Sequence, residues 1–368
     1  MSQVFPHFHA VLLCDDFGAK LWPLANKNAP VCLTSLGTSA NKSLLSLAMQ
    51  RTRPFTSNPI QVITTLPLEE AIYDELVDQK FDDEKDFNML VVPDGQSSSF
   101  CMAMAAAYIR RKDPQAIVAF FLGSQYIDDD DRWGRLLYRA YQLAQQDRLV
   151  VIGGNQKEKC FDYSYIRKGK AVKSLDDAFE VGVFVADVHP NTAKRMCDQG
   201  ALWYTGILFG RPARILGEIT RASELEQQKP GGVANRTAET AQFMAQLEPQ
   251  YWLKEDACEL LSALPDTSYE KFVLEQCENL TVVLSTLHFT NFSNITDLEV
   301  LGEVNEDKNC LVGEGHIANS KNTLLYSAGQ QRKILIDGVQ DLIVVDTDEG
   351  LLITTRDSAH KFNLPPEF

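Results

Sequence analysis

The sequence predicts an α/β protein with a mostly parallel β-sheet, followed by a small β-rich domain. Over roughly the first 290 residues, short apolar runs alternate with amphipathic stretches of helical length. Such alternation is typical of βαβ units, in which a crossover helix follows each buried strand. After about Phe289 the pattern changes to short β-rich pieces separated by Gly, Asn and Asp, which indicates stacked turns.

The elements of the first domain follow from this periodicity. Buried strands are predicted at residues 9–14, 60–64, 89–92, 116–122 and 149–153. Helices are predicted at residues 42–53, 68–79, 100–111 and 132–146, with a shorter one at 192–199. The polar segment 223–246 contains Pro230-Gly231-Gly232 and is predicted to be a loop or a mobile helical excursion.

Six segments of the tail are predicted to be short strands, namely 298–304, 310–312, 323–326, 333–336, 342–346 and 350–355. The boundary is placed at residue 290. The sequence thus predicts an α/β domain over residues 1–289 and a β-rich domain over residues 290–368.

Composition narrows the classes of partner. The chain has 35 Lys and Arg against 50 Asp and Glu, a net charge of -15, which argues against binding to nucleic acid or to anionic membranes. The eight cysteines show no CxxC pair and are expected to be reduced thiols. With no apparent signal peptide and no apolar run of about 20 residues, a cytoplasmic location is expected.

The loop after the first strand is the first candidate site. Gly18 and Lys20 follow that strand closely, as a phosphate-binding loop requires. A strand-to-helix turn capped by Asp16 explains the same residues, and the sequence alone leaves both interpretations open. The acidic run 128–131 is expected to be a solvated capping stretch, and His7 and His9 are expected to be packing or edge residues.

Two segments carry a resemblance to a known family. The loop keeps Gly18, Leu21, Trp22 and Pro23, with Lys20 where a GGxGxRLWP motif has Arg. Segment 338–353 contains GVQDLIVVDT and GLLI, close to a GLxDLVVVxT…ALLV signature. In these motifs, and in their order from residue 9 to about 360, the chain resembles the mannose-1-phosphate guanylyltransferases. That family forms GDP-mannose and pyrophosphate from GTP and mannose 1-phosphate.

The resemblance implies a Rossmann-like nucleotidyltransferase domain with a β-helix-like C-terminal domain. The positions it assigns to nucleotide binding are Gly18, Lys20, Pro93, Gly95 and Ser97. Several polar residues of the family motifs are replaced here: the two leading glycines by Asp15 and Asp16, the PKQF lysine by Val31, and the Arg-Asn-Thr of the EPxGRNTAP loop by Gln96-Ser97-Ser98.

The family's two metal aspartates are also replaced. Ser124 stands at the aspartate of the PADH segment, and Asn291 stands at that of GWSDVGSW. Mg²⁺ is usually held by one or two carboxylates together with phosphate and water. The resemblance therefore implies two degenerate metal positions, and Mg²⁺ is expected as a cofactor only if the chain is active.

On the sugar side, the resemblance assigns binding roles to Tyr163, Trp203 and Gly206, while the FVEKP segment has no lysine in register near Asp187. Glu270 keeps a carboxylate where SIDYAVME has Asp, so Glu270 and Lys20 are the candidate catalytic residues. For Trp22 and Trp203, simple packing is the alternative interpretation.

Three functions remain open at this point. The first is a catalytically impaired homologue that binds GTP, GDP-mannose or a sugar phosphate, with a regulatory or scaffolding role in bacterial surface-polysaccharide production. The second is an active nucleotidyltransferase with replacement metal ligands such as Asp15, Asp16, Asp94 or Glu270. The third is an interaction module without a ligand, which forms a homodimer or binds a protein partner through its C-terminal β domain.

Overall fold

The computed structural model describes most of the chain. The residues described are 4–14, 19–26, 29–34, 42–127, 132–155, 163–173, 175, 177–229, 235–328, 332–359 and 362. The candidate residues Asp15, Asp16 and Gly18 and the acidic run 128–131 lie outside them.

The N-terminal region contains a nine-stranded sheet and a separate two-stranded sheet. The strands of the large sheet are β1 (Phe8–Cys14), β2 (Ile60–Thr65), β3 (Phe87–Val92), β4 (Ile117–Leu122), β6 (Leu149–Gly154), β7 (Tyr165–Ala171), β8 (Ala178–Val185), β9 (Leu202–Gly210) and β10 (Leu280–Ser285). The small sheet pairs β5 (Gln125–Ile127) with β11 (Phe289–Asn291).

Helices surround the large sheet. They are α1 (Leu44–Thr52), α2 (Glu69–Asp78), α3 (Ser98–Lys112), α4 (Trp133–Gln145), α5 (Pro190–Asp198), α6 (Pro212–Gln227), α7 (Thr237–Met244), α8 (Glu255–Ser262) and α9 (Tyr269–Phe272), and α10 (Arg356–Ala359) follows near the C-terminus. In the described residues, no helix has the length and apolar character that a membrane crossing requires.

The strand order is β3-β2-β1-β4-β9-β6-β10-β8-β7, and β7 also pairs with β9. The first four strands in this order are parallel, and β9 is antiparallel to both of its sheet neighbours, β4 and β6. The carboxyl ends of β1, β3 and β4 therefore lie at one edge of the sheet. Ligands of such sheets bind at that edge.

Both faces of the sheet are buried. Val11 and Leu13 pack on one face with helix α3, while Leu12 and Cys14 pack on the other with α1 and α4. Alternate residues of a strand point to opposite faces, so a strand buried on both sides must be apolar throughout. This explains why β1 and β4 could be located from their sequence.

The structure decides two expectations about secondary structure. For segment 223–246, predicted to be a loop or a mobile helical excursion, it supports a helix over most of the described residues, because Ala222 and Ser223 of α6 and Ala241 of α7 are buried and allow close packing on α3. Segment 298–304 is not one strand: a 3₁₀ helix occupies Ile295–Leu301 and begins with a capping box between Asn294 and Asp297.

The C-terminal region is rich in short strands. After β12 (Glu303–Val304), successive strands alternate between two small sheets, β13 (Cys310–Gly313), β14 (His316–Ala318), β15 (Leu324–Ser327), β16 (Leu335–Asp337) and β17 (Leu342–Asp346), and β18 (Leu351–Thr355) then turns back. Strands β13, β15 and β17 stack in parallel, as do β14 and β16. We propose residue 290 as the domain boundary, although β11 still pairs with β5 of the first domain.

The C-terminal region packs against the loop that follows β1. Leu21 and Val31 of the N-terminal region share one apolar cluster with Ile343 and Val345 of β17. The hydroxyl of Thr347 donates to the carbonyl of Pro23 at 3.1 Å and lies 3.2 Å from the main-chain N–H of Glu349, which donates to it. The motifs at the two ends of the chain therefore meet in one packed interface.

We expect Thr347→Val to lower the free energy of unfolding by about 1–2 kcal/mol, because the buried Pro23 carbonyl loses its donor while the shape of the side chain is kept. Urea denaturation measures the change. Thr354→Val on the adjacent strand is the control, since the Thr354 hydroxyl is bonded only locally, at 3.4 Å from the Thr355 carbonyl. Equal effects of the two substitutions would show that the Thr347 contact adds nothing.

His7 and His9 form a hydrogen-bonded cluster with Asp113 at the start of β1. Nδ1 of His7 and Nε2 of His9 lie 2.9 and 3.1 Å from the same carboxylate oxygen of Asp113. Burial lowers the pKa of His9 although Asp113 opposes the shift. This placement agrees with a packing role at the edge of the domain.

The unfolded chain binds a proton at His9 more readily than the folded chain, so stability should rise with pH through this group. We expect the free energy of unfolding to fall as the pH drops below about 6.5, by no more than about 1.4 kcal/mol per pH unit for this one proton. His9→Gln should reduce the slope, because the group whose pKa burial lowers is then gone. An unaltered slope in His9→Gln would contradict the assignment.

Candidate active site

A network of neutral polar groups lies where the carboxyl end of β4 meets β9 and β11. The side-chain amide of Gln125 donates to the Thr205 carbonyl at 2.6 Å and to Oδ1 of Asn291 at 2.7 Å. Nδ2 of Asn291 donates to the same carbonyl at 3.2 Å. Two amide side chains therefore converge on one main-chain oxygen, and we call this group, Gln125, Asn291 and Thr205, the amide network.

Strand pairing fixes the geometry of the amide network. Gln125 and Asn291 are directly opposite each other in the β5–β11 ladder, so their side chains share one face. Thr205 lies in the middle of β9 and is fully buried, and its hydroxyl donates to the Ile152 carbonyl at 3.1 Å. Three separate segments of the chain must be in place before the network can form.

A glycine next to the network makes the close approach possible. Gly206 has a φ of +87°, and a Cβ atom there would lie 2.7 Å from the side chain of Leu122. Both the left-handed backbone and the lack of space favour glycine. Gly206 thus has a structural reason to be present, in addition to the sugar-binding role that the resemblance implies.

A cationic side chain lies beside β5. Arg51 of α1 donates to the main-chain carbonyl of Gln125 at 3.3 Å, and its guanidinium carbon lies 5.3 Å from the centre of the Trp133 ring. Ser124, the first degenerate metal position, precedes Gln125 directly and is half-buried. Arg51 thus adds a positive charge beside the residue that follows Ser124.

The described residues at the two degenerate positions do not fit Mg²⁺. Ser124 and Asn291 carry no charge, and the Asn291 oxygen already accepts a hydrogen bond from Gln125. Magnesium requires hard, preferably anionic oxygens in octahedral geometry. Within the described part of the chain, no group of three or more His, Cys, Asp or Glu side chains is arranged to hold a metal ion.

The candidate nucleotide residues follow β1 and β3. Lys20 is exposed, in a 3₁₀ turn at Ala19–Leu21. Gly95 has a φ of +76°, and the buried Ser97 caps helix α3 by accepting from the Phe100 N–H at 3.3 Å. With Pro93 in the same turn, the structure places the retained positions at the sheet edge that the sequence predicted. Gly18 lies outside the described residues.

Glu270 lies close to this helix start. The hydroxyl of Ser98 accepts from the main-chain N–H of Tyr269 at 3.1 Å, which ties α9 to the first turn of α3. Burial raises the pKa of Tyr204 well above its ordinary value, and the Glu270 carboxylate raises it further. Tyr204 is thus a protonated phenol, and with 6% of its surface exposed it belongs to the apolar cluster on the α3 side of the sheet.

Tyr163 and Trp203 occupy the opposite face of β9 from Tyr204. The two rings have centroids 4.6 Å apart, and Trp203 also packs edge-on against Phe289. Only 4% of Trp203 is exposed, and it belongs to the apolar cluster of the α4 side. This placement favours packing over sugar contact for Trp203, and it separates both rings from Glu270.

Two features of the candidate site could not be predicted from the sequence. Gln125 could not be identified from the sequence, because a neutral amide indicates no function until its partner, Asn291 on β11, is known. Lys271 forms an ion pair with Asp187 at 2.9 Å. A lysine from another part of the chain therefore reaches the segment around Asp187, which has no lysine at the position of the FVEKP motif. The sequence shows both residues, but it does not show that they lie close together in the fold.

Comparisons with known proteins cover nearly the whole chain. No protein-family profile matches it. It is 23% identical over 362 residues to mannose-1-phosphate guanylyltransferase of Salmonella muenchen, covering 97% of this chain and 72% of that protein. It is 21% identical to the alginate biosynthesis protein AlgA of Pseudomonas putida, covering 94% of this chain and 68% of that protein.

Solved structures agree on the fold. A structure described as mannose-1-phosphate geranyltransferase from Thermus thermophilus superposes with a TM-score of 0.78 at 19% identity, covering 96% of this chain and 97% of that one. Mannose-6-phosphate isomerase from Helicobacter pylori gives a TM-score of 0.57 at 14% identity, covering 77% and 99%.

The sheet, its surrounding helices and the C-terminal β region define a protein of the nucleotidyltransferase fold. More particularly, the chain is similar in sequence to mannose-1-phosphate guanylyltransferases over nearly its whole length.

We expect Asn291→Asp to lower the free energy of unfolding by about 1–3 kcal/mol. The N–H group that now donates to the main-chain carbonyl of Thr205 would be replaced by a carboxylate oxygen, which cannot donate. Thermal or urea unfolding measures the loss. Asn279→Asp, at an exposed position, makes the same chemical change away from the network and should have little effect. A fully stable Asn291→Asp protein would argue that the network does not hold β11 in place.

Proposed function

We propose that the chain binds GTP, GDP-mannose or a sugar phosphate without Mg²⁺ and has little or no guanylyltransferase activity. It acts in this proposal as a regulatory or scaffolding protein of polysaccharide production. The observation that carries the proposal is the amide network, in which Asn291 uses its oxygen for Gln125 rather than offering it to a cation.

Phosphoryl-type transfer depends on positioning and on neutralising charge on the phosphates. The described residues at the degenerate metal positions supply no negative group for a metal ion. Losing even one such contribution costs a few kcal/mol of transition-state stabilisation, and about 1.4 kcal/mol is a tenfold change in rate. Impaired catalysis is thus the expected consequence of Ser124 and Asn291.

Ligand binding requires less than catalysis does. The turn at Gly95 and the capped start of α3 are kept, and helix starts favour anionic groups. Lys20 is exposed near the same edge, and Lys271 supplies a second cation beside Asp187. Glu270, which is half-buried near the start of α3, offers a carboxylate to a sugar. These features support binding of a nucleotide or sugar phosphate.

An active enzyme with replacement metal ligands is the second candidate. Asp94 is exposed in the turn after β3, and Glu270 lies near the start of α3, so two carboxylates remain at this side of the sheet. This candidate requires Mg²⁺ for tight nucleotide binding, whereas the leading proposal does not. Magnesium dependence therefore separates them.

The first test is a thermal-shift titration with GTP, GDP-mannose and mannose 1-phosphate, each with and without Mg²⁺. A ligand at about 100 times its Kd stabilises the folded state by about 2.7 kcal/mol, which raises Tm by a few degrees. We expect a shift with at least one ligand, equal with and without Mg²⁺. A shift seen only with Mg²⁺ would favour the active enzyme, and no shift with any ligand would refute binding.

The second test restores the carboxylates. We expect Ser124→Asp combined with Asn291→Asp to make the GTP-induced shift dependent on Mg²⁺, because two anionic oxygens would then face the site. The matched control is Ser124→Asn with wild-type Asn291, which adds a similar volume without charge. Identical ligand responses in the two variants would contradict the assignment of these positions.

A further inference from the structure

Helix α2 carries an exposed surface of unusual composition. Residues 69–86 contain nine acidic and two basic side chains, so this short segment accounts for -7 of the chain's net charge of -15. Tyr73 and Val77 lie one turn apart on the outer side of α2 and are 37% and 42% exposed. We call this part of the molecule, α2 with residues 79–86, the acidic face.

The acidic face is electrostatically costly in the isolated chain. Glu70, Asp74 and Asp78 follow one another at intervals of four residues along α2, and all three are exposed. Like charges at this spacing destabilise a helix by a few tenths of a kcal/mol per pair. A cationic surface placed against α2 would relieve the repulsion while covering Tyr73 and Val77.

A surface of opposite sign lies on β7. Residues 167–173 contain four cationic side chains and no acidic one, and Arg167, Lys168, Lys170 and Lys173 are all exposed. Val183, directly across from Arg167 on β8, is 42% exposed and adds an apolar contact. We call residues 167–173 with Val183 the basic strip.

The two surfaces of one copy are far apart. Helix α2 contacts β3 at one end of the large sheet, and strands β2, β1, β4 and β9 lie between β3 and β7. At about 4.8 Å between neighbouring strands, the separation is roughly 24 Å. The acidic face therefore cannot meet the basic strip of its own chain.

We propose that the acidic face of one copy of this chain binds the basic strip of a second copy. Each surface combines charge with a small apolar centre, and the two are complementary in sign. The contact is heterologous, so every copy retains one free surface of each kind and assemblies grow with concentration unless a ring closes. It involves none of the residues proposed to bind nucleotide or sugar.

Strand β7 pairs with β9 only at Tyr165 and Ile166, so the basic strip lies on an open sheet edge. Lysines on such an edge can serve instead to protect the sheet from unwanted pairing. If protection of the edge is their role, the chain does not associate through β7. The proposal and this alternative therefore differ in a measurable quantity, the oligomeric state of the full chain at low ionic strength.

The experiment is sedimentation velocity of the full chain over a range of concentrations, in about 20 mM and about 500 mM NaCl, which shorten the screening length from roughly 20 Å to roughly 4 Å. Three proteins are compared: the wild type, Lys168→Glu with Lys170→Glu, and Asp74→Lys with Asp78→Lys. We expect the wild type to associate at low salt, and each variant alone to associate at least about tenfold more weakly.

Mixing the two variants is the decisive step. The reversed strip of one and the reversed face of the other are again complementary, so the equimolar mixture should recover association. Lys170→Gln with Lys173→Gln, a milder change, should weaken association even if the charge reversals disturb folding. A monomeric wild type at low salt, unchanged association in the variants, or a mixture that stays monomeric would each overturn the proposal.

Discussion

Three hydrogen bonds among Gln125, Asn291 and Thr205 join segments that are otherwise far apart in the sequence. Each of these buried or half-buried polar groups needs a partner, because an unsatisfied one costs about 1–3 kcal/mol. In a metal-dependent site, a cation would satisfy such groups. In this chain the side-chain amides of Gln125 and Asn291 bond to each other and to the Thr205 carbonyl, so the network is held together by neutral groups.

The same network connects the candidate site with the C-terminal region. Asn291 ends β11, and the chain then enters the 3₁₀ helix Ile295–Leu301, whose Leu298 packs with β17 residues and with Leu21. The loop after β1 is thus held by the C-terminal region on one side, while β11 is held by β5 on the other. Packing on both sides therefore fixes the framework of the candidate site.

Much of the fold could be predicted because β1, β4 and β6 are buried on both faces and read as continuous apolar runs. The sequence does not predict most of α6 and leaves loop and helix open for the segment of α7, because small side chains such as Ala241 pack well without a strong apolar signal. The order of the motifs along the sequence predicts which loops form the candidate site. It does not predict the polar contacts within the site, since the pairing of Gln125 with Asn291 and of Lys271 with Asp187 joins distant segments of the chain.

We propose that the chain keeps the fold of a guanylyltransferase and lacks its metal-dependent chemistry. Pyrophosphate release from GTP and mannose 1-phosphate at saturating Mg²⁺ measures this directly. Because ordinary enzymes turn over at roughly 1–10³ s⁻¹, we expect turnover below about 10⁻³ s⁻¹, a thousandfold under the lower end of that range. Turnover above that value, abolished by chelating the metal, would overturn the proposal.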